Sequence, residues 1–511
     1  MLKGNDIYNP IKSEIYLRDQ SNLSGNAEAI AFVTTSDEAI KALQFAREQN
    51  KTVTIQGSRT GVNGGAVPMG GYIINFSRMN KITSFTFDEA MGIGTLGVQA
   101  GVTVEQIERI LNSKHLGQTV FDSNSQAEWL KYQKSDVTLT FEASPSEKTA
   151  TIGGMIACNA SNAGMKHGNN LASHILKIQA VLPSGKILTL NENNAKLDNK
   201  FTTLTDSPKQ SCETATKKNP YEAGYNLGNW IDLLCGSEGT LALITGATIK
   251  LQSKPAYQYG LSLPFSDAKQ LFSFWKDFQN VLSSFPENLL CKATCFDRSC
   301  LSLLQNQVST HQVSRDSALF DESSRGATLL LELGSAKEDD LFEVLETILI
   351  FLKKTDLSED CVSVSSNQNQ LSAMLELEHR VLDAITLLPA NIERYSADIC
   401  VTQEKFSDLF MYISEKINSH ELSGMLVGQL LSEQISFCLI NGYNVSDIYQ
   451  AILNKAAETG CKCSSKYGVG RKKLQVFKKL SAQQESIARQ VKGFMDPHFI
   501  LNKGVLFNAK L

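Results

Sequence analysis

The chain has 511 residues, of which 42% are hydrophobic and 20% are charged, and its formal net charge at pH 7 is −4. A chain of this length is too long for one hydrophobic core and predicts two or three domains. The small negative charge gives no reason to expect nucleic acid or an anionic membrane surface as a partner. No apolar run approaches the roughly 20 residues that span a bilayer, and the first residues lack the apolar core of a signal peptide. We therefore expect a cytoplasmic protein, and leave open whether it associates with the inner face of the membrane.

From about residue 28 to residue 253, short segments dense in Ile, Val, Leu and Thr alternate with helical patterns. We predict strands at residues 53–55, 72–76, 175–182, 186–190 and 241–251. Helices are predicted at 36–49, with Ser36 or Asp37 as the N-cap, and at 103–113, with Thr103 as the N-cap. The segment Pro183-Ser184-Gly185 between two of the strands is typical of a hairpin turn.

Long amphipathic helices and a few strands fill the region from about residue 258 to residue 475. The helices are predicted at residues 267–282, 339–354, 370–386, 403–419 and 446–459. This order of elements favours a separate α+β domain.

The eleven cysteines are an odd number scattered through the chain, which is typical of reduced thiols. Neither the group Cys291, Cys295 and Cys300 nor the pair Cys461 and Cys463 has the Cys-x2-Cys spacing usual for iron–sulfur clusters. We expect this polypeptide to hold no cluster of its own.

A glycine-rich segment, residues 56–65, directly follows the predicted strand at 53–55 and reads Gln-Gly-Ser-Arg-Thr-Gly-Val-Asn-Gly-Gly. Such a loop lets backbone N–H groups approach a bound anion closely. The GxGxxG spacing of a Rossmann fold is absent, and no Gly-Lys-Ser/Thr ends the loop as in a P-loop. A strand follows instead of a helix, which predicts an anion-binding loop outside the common nucleotide folds.

Three more segments complete a pattern: Ala-Thr-Ile-Gly-Gly-Met-Ile-Ala-Cys-Asn-Ala-Ser at 150–161, Gly-Ser-Glu-Gly-Thr-Leu at 236–241 and Asp-Pro-His-Phe-Ile-Leu-Asn-Lys-Gly at 496–504. In this order the four segments resemble the FAD-linked oxidases of the vanillyl-alcohol oxidase / p-cresol methylhydroxylase superfamily. The resemblance covers nearly the whole chain. It is strongest to the branch that holds D-lactate dehydrogenase, D-2-hydroxyglutarate dehydrogenase and the flavin subunit of glycolate oxidase.

The resemblance implies an α+β protein with three parts. A two-subdomain FAD-binding domain of the p-cresol methylhydroxylase type would comprise residues 1–255. An α+β cap domain with an antiparallel sheet, residues 256–475, would hold the substrate, and residues 476–511 would return to the FAD domain. Residues 121–140 and 191–218 look like insertions against the family's usual lengths. Their polar composition predicts surface loops, and a role for them in partner docking or as an active-site lid is left open.

The resemblance also implies which residues bind FAD. Backbone groups of the first loop would bind the pyrophosphate, the second segment would line the isoalloxazine and ribityl groups, and the third would lie nearby. The predicted contacts are Gln56, Gly57, Ser58, Arg59, Thr60, Gly61, Pro145, Thr151, Gly153, Gly154, Asn159, Ser161, Gly236, Ser237, Glu238, Gly239, Leu243, Ile244 and Asn502. Leu243 and Ile244 would lie near the adenine, where Ala242 and Gly246 depart from the family's pattern, and Asn502 near the flavin. Some relatives bind FAD covalently through a histidine in the first loop. This chain has Thr60 there, so we expect non-covalent FAD.

The substrate side of the resemblance is weaker. Hydroxy-acid members have two metal-binding histidines where this chain has Gln429 and Ser436. They also have a metal-binding carboxylate and a histidine base where this chain has Lys466 and Tyr467. Neutral amide and hydroxyl groups beside an ammonium do not hold Zn²⁺ or Mn²⁺. We therefore predict no metal.

Four residues are candidates for catalysis: Tyr467, Lys466, Arg380 and Arg394. Arg380 matches an arginine that binds the substrate carboxylate in the family, and a guanidinium suits a carboxylate or a phosphate. Arg394 is a second candidate for binding an anion, although either arginine could be a solvated or ion-paired side chain. A neighbouring ammonium would favour the phenolate of Tyr467, which could then act as a base. The alternative is that Tyr467 only packs over the flavin.

These observations leave three functions open. The first is an FAD-dependent oxidoreductase that transfers hydride from a small organic acid or alcohol, similar to a 2-hydroxy acid, to flavin N5 without a metal. The second is a non-redox flavoenzyme of the alkylglycerone-phosphate synthase type, and the third is a flavin-carrying subunit with a decayed substrate site. We expect an anionic substrate, an electron acceptor such as a quinone, an electron-transfer flavoprotein or an iron–sulfur subunit, and a homodimer or a subunit of a complex.

Overall fold

The computed structural model describes residues 7–117, 119, 121–160, 170–191, 193–197, 221–282, 285, 289–300, 302–303, 326–353, 362–386, 388, 392–440 and 444–508. The chain divides into two compact units. The first comprises the described residues up to Lys254 together with those from Ser464 onward, and the second comprises those between Pro255 and Cys463.

A small parallel sheet opens the first unit. Its strands β1 (Ala29–Phe32), β2 (Val53–Gln56) and β3 (Tyr72–Asn75) lie in the order β1-β3-β2. Helix α1 (Ser36–Glu48) buries one apolar face in a cluster with residues of all three strands. The N-cap of this helix is Thr35, whose side chain accepts a hydrogen bond from the Glu38 N–H, so the predicted cap was one or two residues too late.

A second, antiparallel sheet completes the first unit. Its strands are β4 (Ile82–Asp88), β5 (Ile93–Gln99), β6 (Leu139–Thr140), β7 (Ile175–Val181), β8 (Ile187–Asn191) and β9 (Leu243–Ser253). They lie in the order β4-β5-β9-β7-β8, and β6 pairs with β9. The predicted hairpin at Pro183-Ser184-Gly185 is confirmed, because β7 and β8 pair and Gly185 has a φ of 86°.

Helix α2 (Val104–Ser113) begins where the sequence predicts. Thr103 and Gln106 form a capping box, in which each side chain accepts a hydrogen bond from the other residue's backbone N–H. The remaining helices of the unit are α3 (Ser123–Lys134), α4 (Ile152–Cys158), α5 (Trp230–Leu234), α12 (Leu474–Leu480) and α13 (Ala482–Met495).

The prediction of a surface loop at residues 121–140 was wrong. Asp122 caps α3, and this helix buries Trp129, which is 1% exposed, and Tyr132. These two rings are three residues apart, so they share one helix face, and both contact Phe85 of β4. Through these aromatic contacts, a segment of largely polar composition contributes two buried rings to the hydrophobic core. The other predicted loop comprises residues 191–218, and its residues 198–218 lie outside the described part of the chain.

The second unit is built on one sheet with strands of unequal length. Its described strand pairs are antiparallel, as predicted. The described strands lie in the order β13-β10-β12-β11-β15-β16-β14-β17. They are β10 (Tyr257–Phe265), β11 (Leu290–Asp297), β12 (Ala327–Ser335), β13 (Ser363–Val364), β14 (Arg394–Cys400), β15 (Ser423–Gln429), β16 (Gln434–Ile440) and β17 (Lys462–Cys463).

Helices of the second unit follow the predicted positions closely, with one exception. They are α6 (Ala268–Leu282), α7 (Glu338–Leu352), α8 (Gln368–Leu375), α9 (Leu377–Thr386), α10 (Gln403–Ser419) and α11 (Val445–Glu458). The single helix predicted at 370–386 is two helices, α8 and α9, which meet at Glu376. No helix in the described residues is long and apolar enough to cross a membrane.

The chain re-enters the first unit at Ser464, earlier than the boundary that we predict at residue 476. Glu222 forms a β-bridge with Ser464, and the Ser465 N–H donates to the Tyr221 carbonyl at 2.6 Å. The end of the chain then joins the first sheet, because the Val53 N–H donates to the Ile500 carbonyl at 2.8 Å. Residues 464–475 therefore lie in the unit that contains the glycine loop.

Candidate functional site

The glycine loop begins at Gln56, the last residue of β2, and this side chain fixes the ends of the loop. Gln56 is 1% exposed, and its Nε2 donates to the carbonyls of Tyr16 and Ala66, both at 2.8 Å. Arg59 has a φ of 63°, and its guanidinium lies 4.8 Å from the centre of the Tyr16 ring. Burial lowers the pKa of Arg59. The Gln56 side chain therefore holds the ends of the loop in place. The backbone N–H groups of the loop are the groups suited to binding an anion.

The second predicted segment lies against this loop at close range. A Cβ atom at Gly57 would be 2.2 Å from Thr151 Oγ1. Gly153 is equally confined, because its N–H donates to the Ala100 carbonyl at 2.8 Å and a Cβ there would be 2.8 Å from the Ala100 Cβ. The glycines thus let the start of α4 approach the loop closely, because a side chain at either position would collide with its neighbour.

This packing predicts the effect of Gly57→Ala. The methyl group overlaps Thr151 Oγ1, so we expect the overpacking to weaken FAD binding by about 1–3 kcal/mol, or roughly five- to 150-fold. Gly65→Ala is the matched control in the same loop, because a Cβ at Gly65 meets nothing within 4 Å. Reconstitution of the apoprotein, followed by flavin fluorescence, gives both affinities. Equal affinities for the two variants would contradict the assigned role of Gly57.

The third segment contacts the end of α4 and the C-terminal segment. The Glu238 N–H donates to the Ala157 carbonyl at 2.6 Å. Asn502 links the third segment to β2, just before the glycine loop, because its Oδ1 accepts from the Ile55 N–H at 2.8 Å and its Nδ2 donates to the Glu238 carbonyl at 2.7 Å. A Cβ at Gly239 would be 2.7 Å from Asn502 Nδ2, so a side chain there would displace the amide. The structure therefore brings together all four segments that the sequence singles out.

Glu238 also holds the turn that contains Tyr467. Its carboxylate is 6% exposed, and its two oxygens accept from the N–H groups of Val469 and Gly470, each at 2.7 Å. Burial raises the pKa of Glu238, and the two N–H donors oppose that shift. Asn63 holds the other side of the turn, because its Nδ2 donates to the Tyr467 carbonyl at 2.9 Å and to the Gly468 carbonyl at 2.8 Å.

Tyr467 adopts the left-handed region with a φ of 62°, which is uncommon for a bulky residue. Such a conformation persists where surrounding contacts over-determine it, and residues of this kind concentrate at active sites. Here the contacts come from Glu238 and Asn63. The backbone is therefore set before any ligand binds, and the Tyr467 ring is partly exposed.

Two lysines flank the Tyr467 ring. Lys466 Nζ lies 5.3 Å and Lys473 Nζ 5.7 Å from the ring centre. The sequence predicts the first but not the second, because Lys473 stands in the run Arg471-Lys472-Lys473, which is typical of an exposed basic surface. Asn63 was also missed. A polar residue inside the glycine loop was its only signal.

The remaining cofactor candidates are placed as follows. Pro145 is partly exposed in the segment before α4, and Leu243 and Ile244 are buried at the start of β9, opposite Val181 and Ala180. Asn159 is the C-cap of α4 with a φ of 50°. Ser161 lies outside the described residues.

The two candidate arginines lie in the second unit. Arg380 is partly exposed on α9. Arg394 begins β14, and its guanidinium donates to the Leu388 carbonyl. Gln429 ends β15 opposite Gln434, whereas Arg394 pairs with Ile440 at the other end of β16. Gln429 is buried, with its Oε1 accepting from Thr294 Oγ1 at 3.0 Å and its Nε2 donating to Glu378 Oε2 at 2.6 Å. Both ends of the Gln429 amide are therefore engaged by neighbouring side chains.

Matches to two domain families identify an FAD-linked oxidoreductase. Residues 27–127 match the FAD binding domain family, and residues 272–506 match the C-terminal domain of the FAD linked oxidases. The chain belongs to the FAD-linked oxidases, and its cofactor is FAD.

Curated relatives agree with this assignment, and a solved structure shares the fold. The chain is 24% identical to D-lactate dehydrogenase of Archaeoglobus fulgidus, over 92% of this chain and 89% of that protein. It is 24% identical to a glycolate oxidase subunit of Bacillus subtilis, over 94% of this chain and 89% of that protein. The structure of 4-ethylphenol oxidase from Gulosibacter chungangensis matches with a TM-score of 0.62 at 12% identity, covering 96% of this chain and 92% of the other. That last likeness concerns the fold alone.

Proposed function

We propose that this enzyme oxidises a small organic acid or alcohol, similar to a 2-hydroxy acid, without a divalent metal, and that Tyr467 accepts the substrate's proton. The observation that supports this most is the turn at Tyr467, which buried side chains from two distant parts of the chain hold in a left-handed conformation.

The chemistry can be assigned to named groups. The hydroxyl proton of the substrate passes to Tyr467 Oη, and the carbon-bound hydrogen leaves with its electron pair as the C=O bond forms. When bound, FAD supplies the acceptor for that hydride at N5. Lys466 stabilises the phenolate that receives the proton, and Arg380 and Arg394 are the proposed partners of the substrate carboxylate.

Three features of the chain support chemistry without a metal and with dissociable FAD. The Gln429 amide is engaged with Thr294 and Glu378, and Lys466 brings positive charge in place of a carboxylate ligand. Residues 51–70 contain neither His nor Cys, the residues that could attach FAD covalently in this loop.

The test is an anaerobic absorption spectrum of the holoenzyme, recorded with a panel of D- and L-2-hydroxy acids in the presence and absence of EDTA. We expect at least one acid to bleach the flavin band, and the bleaching to survive EDTA. Bleaching that EDTA abolishes would contradict the metal-free mechanism. A flavin that no acid reduces would favour a decayed substrate site. We further propose that the electrons pass on to a quinone, an electron-transfer flavoprotein or an iron–sulfur subunit, and that the protein is a homodimer or part of a complex.

A further inference from the structure

Lys473 is a buried cation beside the proposed proton acceptor. This residue is 3% exposed at the start of α12, and its Nζ lies 5.7 Å from the centre of the Tyr467 ring. We propose that Lys473 is the principal cation that stabilises the phenolate of Tyr467, with Lys466 as a weaker second. This inference rests on the proposed role of Tyr467 as the base.

The position of Lys473 is fixed by hydrogen bonds within the first unit. Its Nζ donates to the Lys466 carbonyl at 2.9 Å, and its backbone N–H donates to the Val469 carbonyl at 3.1 Å. The ammonium is therefore attached to the same turn that contains Tyr467. Its charge stays beside the ring whether or not substrate is bound, whereas the Lys466 side chain is only partly buried.

Burial makes the Lys473 charge the more effective of the two. An opposite charge within a few ångströms favours the ionised form of a titrating group, and solvent screens an exposed charge more than a buried one. Lys466 is closer to the ring centre but more exposed to water. Lys473 lies slightly farther away and is shielded from water, so we expect the larger effect from Lys473.

Other titratable groups also lie near the turn. The titratable side chains around it include Asp19, Cys158, Glu238, Lys466, Arg471, Lys472 and Lys473. Both oxygens of the Glu238 carboxylate accept hydrogen bonds from backbone N–H groups of the turn, and the Lys473 ammonium also lowers the pKa of this carboxyl. Burial raises the pKa of the Cys158 thiol to about 12, which keeps it neutral, and burial also raises the pKa of Asp19.

The experiment is a pH titration of the holoenzyme labelled with carbon-13 at tyrosine Cζ, followed by NMR. The chain has 13 tyrosines, and burial raises the pKa values of Tyr8, Tyr225 and Tyr449, so these ionise late. We expect one resonance to titrate below the free-tyrosine value near ~10 and to be absent in Tyr467→Phe. In Lys473→Gln, whose amide can still donate to the Lys466 carbonyl, we expect that midpoint to rise by about one pH unit or more.

Three further variants isolate the charge. Lys473→Arg keeps the cation and should keep the low midpoint. Lys466→Gln should raise the midpoint by less than Lys473→Gln does. Lys472→Gln removes an exposed charge from the adjacent position and should leave the midpoint unchanged. An unchanged midpoint in Lys473→Gln, equal shifts in Lys472→Gln and Lys473→Gln, or an early-titrating resonance that survives Tyr467→Phe would each overturn the proposal.

The titration is independent of turnover. If no organic acid reduces the flavin, the proposed function fails, and the NMR midpoints still decide whether Lys473 stabilises the phenolate. If Lys473→Gln does not fold, Lys466→Gln still tests the proposal, because a midpoint that rises in this variant all the way to the free-tyrosine value would assign the effect to Lys466 and overturn the proposal.

Discussion

Tyr467→Phe is expected to lower the rate constant of flavin reduction by substrate roughly 10²- to 10⁴-fold, the usual contribution of a positioned general base. The substitution removes only the phenolic oxygen. Hydrogen bonds from Asn63 and to Glu238 hold the backbone of the turn, and none of them involves that oxygen. FAD content and melting temperature should therefore remain at wild-type values. Anaerobic stopped-flow absorption measures the rate constant directly.

Tyr412→Phe provides the matched control, since it removes the same oxygen from α10 in the second unit. Its reduction rate should equal that of the wild type. If the Tyr467→Phe enzyme also reduces its flavin at the wild-type rate, Tyr467 is not the base. The alternative from the sequence, that Tyr467 only packs over the flavin, would then hold.

The second large effect concerns stability. Lys492→Met should lower the free energy of unfolding by about 3–5 kcal/mol, because it leaves a buried carboxylate without its cation. Lys492 is 1% exposed, and its Nζ donates to Asp496 Oδ2 at 2.6 Å and to the carbonyls of Thr240 and Leu501 at 2.5 and 2.9 Å. Burial lowers the pKa of the Lys492 ammonium, and the Asp496 carboxylate offsets only part of that shift. Denaturant titration of the apoprotein measures the difference.

Lys51→Met is the control for the loss of an ion pair. Lys51 pairs with Glu28 at 2.7 Å, but both side chains are largely exposed, so stability should stay close to that of the wild type. The double variant Lys492→Met/Asp496→Leu should recover part of the loss, because it removes the uncompensated charge. Equal destabilisation by Lys51→Met and Lys492→Met would show that burial does not govern the strength of these pairs.

Local signals in the sequence were sufficient for much of the secondary structure. Thr103 was identified as a cap from the helix pattern alone, and the hairpin at residues 183–185 from its turn residues. Helix α3 was missed because its polar composition resembles a loop. Helix α3 is stabilised by the contact of Trp129 and Tyr132 with Phe85, a residue of strand β4. Tertiary contacts of this kind are not visible in composition.

The residues of the candidate site also divide into those that the sequence revealed and those that it did not. The glycine segments could be recognised because their function is local: a backbone that must approach a ligand closely excludes side chains. Asn63 and Lys473 could not, because their roles depend on partners in three dimensions. Asn63 donates to the carbonyl of Tyr467, 404 positions farther along the chain. Lys473 is buried only because the chain folds back onto the first unit at Ser464.

The discontinuous first unit has a consequence for how the enzyme is made. Its glycine loop is synthesised early, but the residues that complete β2 and hold the Tyr467 turn follow only after the entire second unit. A ribosome-bound chain therefore has time to fold the second unit as an independent body while the first still lacks Asn502 and the Tyr467 turn. The cofactor site that we assign is completed only when the residues from Ser464 to Asn502 have emerged, so its assembly follows synthesis of the second unit.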